Sequence, residues 1–189
     1  MRDASFQERR WSRKDYGRLI EVGLLREDDK IELLAGRLVV AEPQNTPHAK
    51  AIELTAEALR AAFGPGWRIR VQLPVALDPD SEPEPDVSVV AGSPRDDLDD
   101  HPANPVLIVE VADWSVRLDR RIKAPLYARG GIADYWIVNL VDRTVEVYRA
   151  PQREGRSWRY RSIEKFGPEA TVRPLAAPTA RITVTDLLP

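Results

Sequence analysis

One stretch constrains this chain more than any other. Pro105 to Ala112 reads Pro-Val-Leu-Ile-Val-Glu-Val-Ala, apolar on both faces of a strand except for one carboxylate, Glu110. Such a run belongs in the middle of a sheet covered on both sides. A carboxylate inside it carries a large desolvation cost unless it is paired or holds a cation. The fold therefore needs helices layered over a sheet, and the sequence offers them. Ile52, Ala56, Leu59 and Phe63 recur at three- or four-residue spacing and stop at Gly64-Pro65-Gly66, which predicts an amphipathic helix. Trp67, Ile69, Val71 and Leu73 alternate with Arg68, Arg70 and Gln72, the period of a strand with one buried face. Val87 to Val90 is a further β-branched run behind Pro85-Asp86. Leu118, Ile122 and Leu126 predict a helix closed by Gly130-Gly131, where Pro125 is tolerable only near the first turn or at a kink. Asp134 to Leu140 reads as the next strand, and Thr144 to Tyr148 with Trp158 to Ile163 as an antiparallel meander.

The expected class is α/β (α+β): a core of helix, three strands, helix and strand, with added antiparallel strands. Ahead of it come a weakly helical segment from Ser5 to Leu25 and a hairpin, Lys30 to Leu34 and Arg37 to Glu42, turning at Ala35-Gly36. The 189 residues fit one domain, with 1–25 as an N-terminal helical extension and 150–189 as a C-terminal strand extension. A chain of that length buries about 70% of its unfolded surface. It needs no staple, and the absence of cysteine excludes thiol nucleophiles, zinc fingers and iron-sulfur sites. Mean hydropathy is −0.39, and no apolar run approaches the ~18 residues of a membrane span. Met1 to Tyr16 is polar and charged, unlike a signal peptide, so the expectation is a soluble cytoplasmic protein with no membrane partner.

Charge is unevenly distributed within a net −2. From Asp78 to Asp100 nine acids face Arg95 alone, a pattern of either a solvated loop or a cation site. From Arg143 to Arg173 eight basic residues outnumber four acids, with Trp158 and Tyr160 interleaved. That stretch is either the outer face of a hairpin or a track for a nucleic-acid backbone. There is no phosphate-cradling glycine loop and no Gly-x-Ser-x-Gly elbow, and neither His48 nor His101 has an evident serine partner. Metal-assisted hydrolysis is the reaction class left standing.

Asp86 and Glu110 are the acids a strand pattern least wants, and on adjacent strands two carboxylates can share one divalent ion. Oxygen-only ligands favour magnesium or manganese over zinc. Glu110 alone could equally be a polar residue at a sheet end or the partner of an arginine. Asp119, Lys123 and Tyr127 stand four apart, on one stripe of a helix. Spacing alone reads Lys123 as a surface ion pair with Asp119; a cation aimed at the carboxylates is the sharper alternative. Glu32 reads as an exposed strand residue, His48 as a helix cap or loop contact, and His101 as exposed.

In order and approximate spacing, Glu32-Leu33-Leu34-Ala35-Gly36-Arg37-Leu38, Pro47-His48, Pro85-Asp86, Val109-Glu110-Val111, Asp119 with Lys123 and Tyr127, and Tyr135-Trp136-Ile137-Val138 resemble the Uma-two family of “putative restriction endonucleases”. That family looks like a branch of the PD-(D/E)xK nuclease superfamily, whose core order is the one read above. The resemblance implies a hydrolase, a magnesium- or manganese-dependent endonuclease acting on nucleic acid, with DNA as the expected substrate. It implies Asp86 and Glu110 as metal ligands, Lys123 and Glu32 as further catalytic residues, and His48 and Asp119 as accessory ones. The lysine usual two positions after the second acid is absent, since Ala112 stands there, and its role would pass to Lys123. Ala112-Asp113-Trp114-Ser115 replaces a serine-proline-serine-threonine stretch, a departure in the loop beyond the acid. A homodimer is expected if both strands of a duplex are cut. The alternative is a catalytically inactive nucleic-acid-binding or interaction module that keeps the nuclease fold.

Overall fold

The computed structural model describes residues 8–189 apart from Glu42, Asp97 and Leu98, and apart from the side chain of Glu27. The N-terminal helical expectation at Ser5 to Gln7 lies outside the described residues. Helix α1 (Arg13–Glu21) is shorter than the segment predicted, because Ser12 caps it, accepting from the Asp15 N–H while Asp15 reaches back to Ser12. Strands β1 (Ile31–Leu34) and β2 (Arg37–Val40) form the expected hairpin, which ends before Glu42, itself outside the described residues. Its two-residue turn needs positive φ twice, 49° at Ala35 and 77° at Gly36, and a Cβ on Gly36 would stand 2.9 Å from that of Arg10.

The core begins with α2 (Thr46–Phe63), capped by Asn45 with Pro47 in its first turn. Then come β3 (Trp67–Val71), β4 (Val87–Ala91) and β5 (Leu107–Ala112), a helical run over 116–129, and β6 (Asp134–Asn139). This is the helix, three strands, helix and strand read from periodicity. Strands β7 (Thr144–Glu154) and β8 (Ser157–Phe166) complete a six-stranded sheet in the order β3-β4-β5-β6-β7-β8. Only the β5–β6 pair is parallel, as the crossover through the helical run requires. Strand β3 stops at Val71 rather than Leu73, since Gln72 takes φ 50° and leaves the extended region. Being an edge strand it is half-buried throughout.

Alternation along β5 divides the core. Leu107, Val109 and Val111 face α2 together with Val87, Val89, Trp136 and Val138. Ile108 and Ala112 face the other layer with Tyr135, Ile137 and Tyr127. Period two therefore sets Glu110 on the second face, beneath the helical run rather than beneath α2. Val172, Ile182, Val184 and Leu187, from the short strands β9 (Thr171–Val172) and β10 (Ile182–Thr183) and the turn after them, join the α2 face. Among the described residues no helix is long and apolar enough to cross a membrane.

Candidate active site

Sheet register builds the site first. The β4–β5 ladder ends where Val87 pairs with Val109, which brings the two flanking acids, Asp86 and Glu110, to the same end of the strand pair. Asp86 Oδ2 accepts the Val111 N–H at 2.8 Å and lies 3.3 Å from His48 Nε2. Asn45 accepts the His48 N–H, so the backbone of His48 belongs to the helix cap while its ring faces the acid.

The helical run supplies the next groups through an irregularity. It is α-helical at Val116–Leu118 (α3), π-helical over Asp119–Lys123, and α-helical again at Ala124–Arg129 (α4). The widened turn closes Ala124 N–H on the Asp119 carbonyl. Pro125 enters as the second residue of α4, where its missing N–H is harmless. One extra residue in the turn rotates the rest of the helix by about 100° relative to an unbroken α-helix. Lys123 is thereby buried, 6% exposed, and donates from Nζ to Glu110 Oε1 at 3.0 Å and to Glu32 Oε1 at 3.5 Å. The surface ion pair with Asp119 expected from spacing is not formed as a contact. Asp119, 2% exposed, instead accepts from Ser115 Oγ at 2.8 Å. Tyr127 donates to Glu110 Oε1 at 2.6 Å.

Glu32 overturns its reading as an exposed strand residue: it is 7% exposed, and its Oε2 accepts the Glu84 N–H at 3.2 Å. A hairpin's own pattern cannot say which of its faces another segment covers. The structure thus brings Glu32, His48, Asp86, Glu110, Asp119 and Lys123 together around one cavity of about 560 Å³, also lined by Lys30, Glu84 and Ser115. Sequence reasoning missed the last three. Glu84 carried a signal in the alternation Glu82-Pro83-Glu84-Pro85-Asp86, and Ser115 in standing four residues before Asp119. His101 is exposed as expected.

Four buried carboxylates surround one ammonium. Burial, opposed by Lys123 and reinforced by the charges of Asp86, Asp119 and Glu32, pushes Glu110 up to about 8. Burial likewise lifts Asp119 to about 6 against the pull of Lys123 and Ser115. Burial disfavours the charge on Lys123, but Glu110, Glu32, Asp119 and Asp86 outweigh it and hold the ammonium well above its usual range. The charge set is short of cations, the condition under which a divalent ion is favourable.

The structure also places the two charged stretches. In the acidic one Asp78 and Asp80 hold Arg129, Glu82 and Asp100 hold Arg13, and Glu84 and Asp86 line the cavity, while Asp97 lies outside the described residues. The basic one is the hairpin face read from the sequence, where three of its eight cations pair with acids, Arg149 with Asp134, Arg159 with Glu154 and Lys165 with Asp142. Tyr160 is 4% exposed and donates to the Ile132 carbonyl, so it offers no ring to a base.

The crystal structure of “a putative nuclease belonging to DUF820” from Anabaena variabilis is 23% identical to this chain, with a TM-score of 0.67 over 89% of this chain and 96% of that one. At this identity the likeness speaks for the fold. No curated protein matches the chain. The Uma2 family model, described as “Putative restriction endonuclease”, matches residues 13–185, nearly the whole chain, and the protein belongs to that family.

Proposed function

We propose that this protein is a metal-dependent nuclease that hydrolyses phosphodiester bonds, with DNA as its substrate. One observation carries the reading: Asp86 and Glu110 line one cavity in which four buried acids face a single buried lysine, Lys123. The donor set suits magnesium or manganese. The contacts of Asp86 fall on Oδ2 and those of Glu110 on Oε1, so each keeps one oxygen for a cation. Among the described residues no three acidic or imidazole groups form a ready coordination shell. Magnesium commonly takes one or two carboxylates and completes its shell with water and phosphate oxygens.

When bound, the cation supplies Lewis acidity to a phosphoryl oxygen and lowers the pKa of a water. The chain's own residues do the rest. Tyr127 and Lys123 fix Glu110, and the Val111 N–H fixes Asp86, so both carboxylates are aimed before substrate arrives. Lys123 brings the buried positive charge able to stabilise a phosphorane or orient an attacking hydroxide, with Glu32 as a second carboxylate partner of its ammonium. Ser115 orients Asp119. Cleavage of both strands of a duplex calls for two such sites, which a homodimer would provide.

The test is the thermal midpoint of wild type and of Glu110→Ala, with and without millimolar manganese or magnesium. A ligand that binds only the folded state raises the midpoint, and 100-fold excess over Kd is worth about 2.7 kcal/mol. The expected result is a rise in wild type that the variant loses. A flat response in wild type would favour the module that keeps the fold without the chemistry.

A further inference from the structure

Two residues that line the carboxylate cavity have no part in the site described above. Lys30 and Gln72 are exposed, and neither side chain meets a hydrogen-bond or ionic partner among the described residues. Both also hold a backbone conformation that costs free energy. Among the described residues five other than glycine take positive φ. Ala35 and Arg143 sit in hairpin turns and Ala150 within β7; the other two are Lys30 at 47° and Gln72 at 50°. Glycine is the ordinary occupant of such a position, with asparagine next. A long polar side chain persists there where something other than backbone comfort requires it.

Main-chain bonds fix both residues beside the acids. The Gln72 N–H donates to the Asp86 carbonyl at 3.1 Å, one residue past the last pair of the β3–β4 ladder, which sets it across from that acid. Lys30 closes the short turn over 27–29, its carbonyl accepts the Ala41 N–H at 2.8 Å, and it precedes Glu32 by two residues. Glu32 turns its oxygens to Lys123 and to the Glu84 N–H, so no acid of the cavity holds the Lys30 ammonium. Lys30 also lines a second cavity, of about 730 Å³, which shares Val40, Ala41 and Gln44 with the first. The two adjoin at Lys30. A polymeric substrate needs such a way onward from the bond that is cut, and a small one does not.

We propose that Lys30 and Gln72 grip the substrate backbone beside the scissile phosphate, the ammonium neutralising a neighbouring phosphate and the amide donating to a backbone oxygen. Neither is a metal ligand. The inference rests on the nuclease reading, since it needs a phosphodiester chain at the neighbouring carboxylates. It assigns the rim of the cavity to holding the chain and its floor to the chemistry.

The experiment uses full-length protein carrying Glu110→Gln, so that binding is read without cleavage. A fluorescein-labelled twenty-base-pair DNA duplex is followed by anisotropy over a series of salt concentrations. Lys30→Ala is expected to weaken binding and to reduce the slope of log affinity against log salt by about 1, and Lys30→Arg to restore the slope. Gln72→Ala removes a neutral donor, so affinity should fall roughly threefold to tenfold with the slope unchanged. Lys30→Gly and Gln72→Gly separate substrate contact from a structural role, because glycine takes positive φ without steric cost. Each is expected to match or exceed the thermal midpoint of its parent while binding as weakly as the alanine variant. A slope in Lys30→Ala equal to that of the parent, or an equal affinity in Gln72→Ala, overturns the proposal. A glycine variant that lowers the midpoint and leaves binding unchanged overturns it too. If wild type still cuts DNA with manganese, the nuclease reading survives either result. If wild type neither binds nor cuts any nucleic acid, both fail together.

Discussion

Asp86 shows how a single contact alters the design of a test. Asp86→Ala removes a charge from a crowded cluster but also leaves the buried Val111 N–H without its acceptor, at a cost of about 1–3 kcal/mol. Asp86→Asn keeps an acceptor while removing the charge. In metal-free protein the asparagine variant is expected to be as stable as wild type or more so, and the alanine variant less stable than the asparagine one, as read by urea denaturation. An asparagine variant that loses more than about 2 kcal/mol would make Asp86 a structural residue. Glu110 gives a pH dependence with a definite sign. Its value is raised from 4.5 to about 8, so its contribution to stability is present below about 4.5 and is lost as pH rises through about 8. Asp119 acts in the same sense up to about 6, whereas the raised lysine has no slope until above its usual 10.5. Metal-free protein should therefore lose thermal midpoint from pH 5 to pH 8, and Glu110→Gln should flatten that slope. Asp86 and Glu110 were legible in the sequence because one carboxylate opens a β-branched run directly after a proline and the other lies inside such a run. Glu32 came only from the family resemblance and not from its own pattern, since its burial depends on the distant segment around Glu84 that closes over the hairpin.

At the level of elements, periodicity was a good guide to order and a poor one to irregularity. The strand and helix order from α2 to β6 comes from periods of two and about four. Pro125 signalled a break in the second helix without revealing that the break is a π turn, because a proline marks where a donor is missing and not how many residues a turn holds. That extra residue decides which side of the helix carries Lys123. Arg120, within the turn, ties it to β7 through Glu146, which is 4% exposed and also accepts from Tyr148. Arg120→Ala leaves that carboxylate buried without its cation. A loss of about 2 kcal/mol is expected by denaturant unfolding, below the fully buried case because the arginine is 41% exposed. Adding Glu146→Gln should recover part of the loss. Full additivity of the two changes would mean that the tie does not exist.

Across the whole molecule, the C-terminal residues belong to the core rather than to an appendage. Val172, Ile182, Val184, Leu187 and Leu188 are all buried on the α2 face. Five such side chains are worth about 10 kcal/mol together, comparable with the entire stability of a domain. A fragment ending at residue 170 is therefore expected to show no cooperative thermal transition, whereas the full chain unfolds in one step. Two transitions in the full chain by calorimetry would contradict a single domain. Composition bounded the fold class but could not reveal this packing, because segments as short as β9 and β10 carry no period to read. The sheet ends at β3 on one side and β8 on the other, and both edges are open in principle to a second copy. Antiparallel self-pairing about Ile69 would set Arg68 against Arg70, and about Tyr160 would set Arg159 against Arg161. Long arginine side chains two apart on each edge crowd any such pairing, which makes both rims poor templates for fibre growth: packing a second copy there carries a steric and desolvation cost that a bare strand would not.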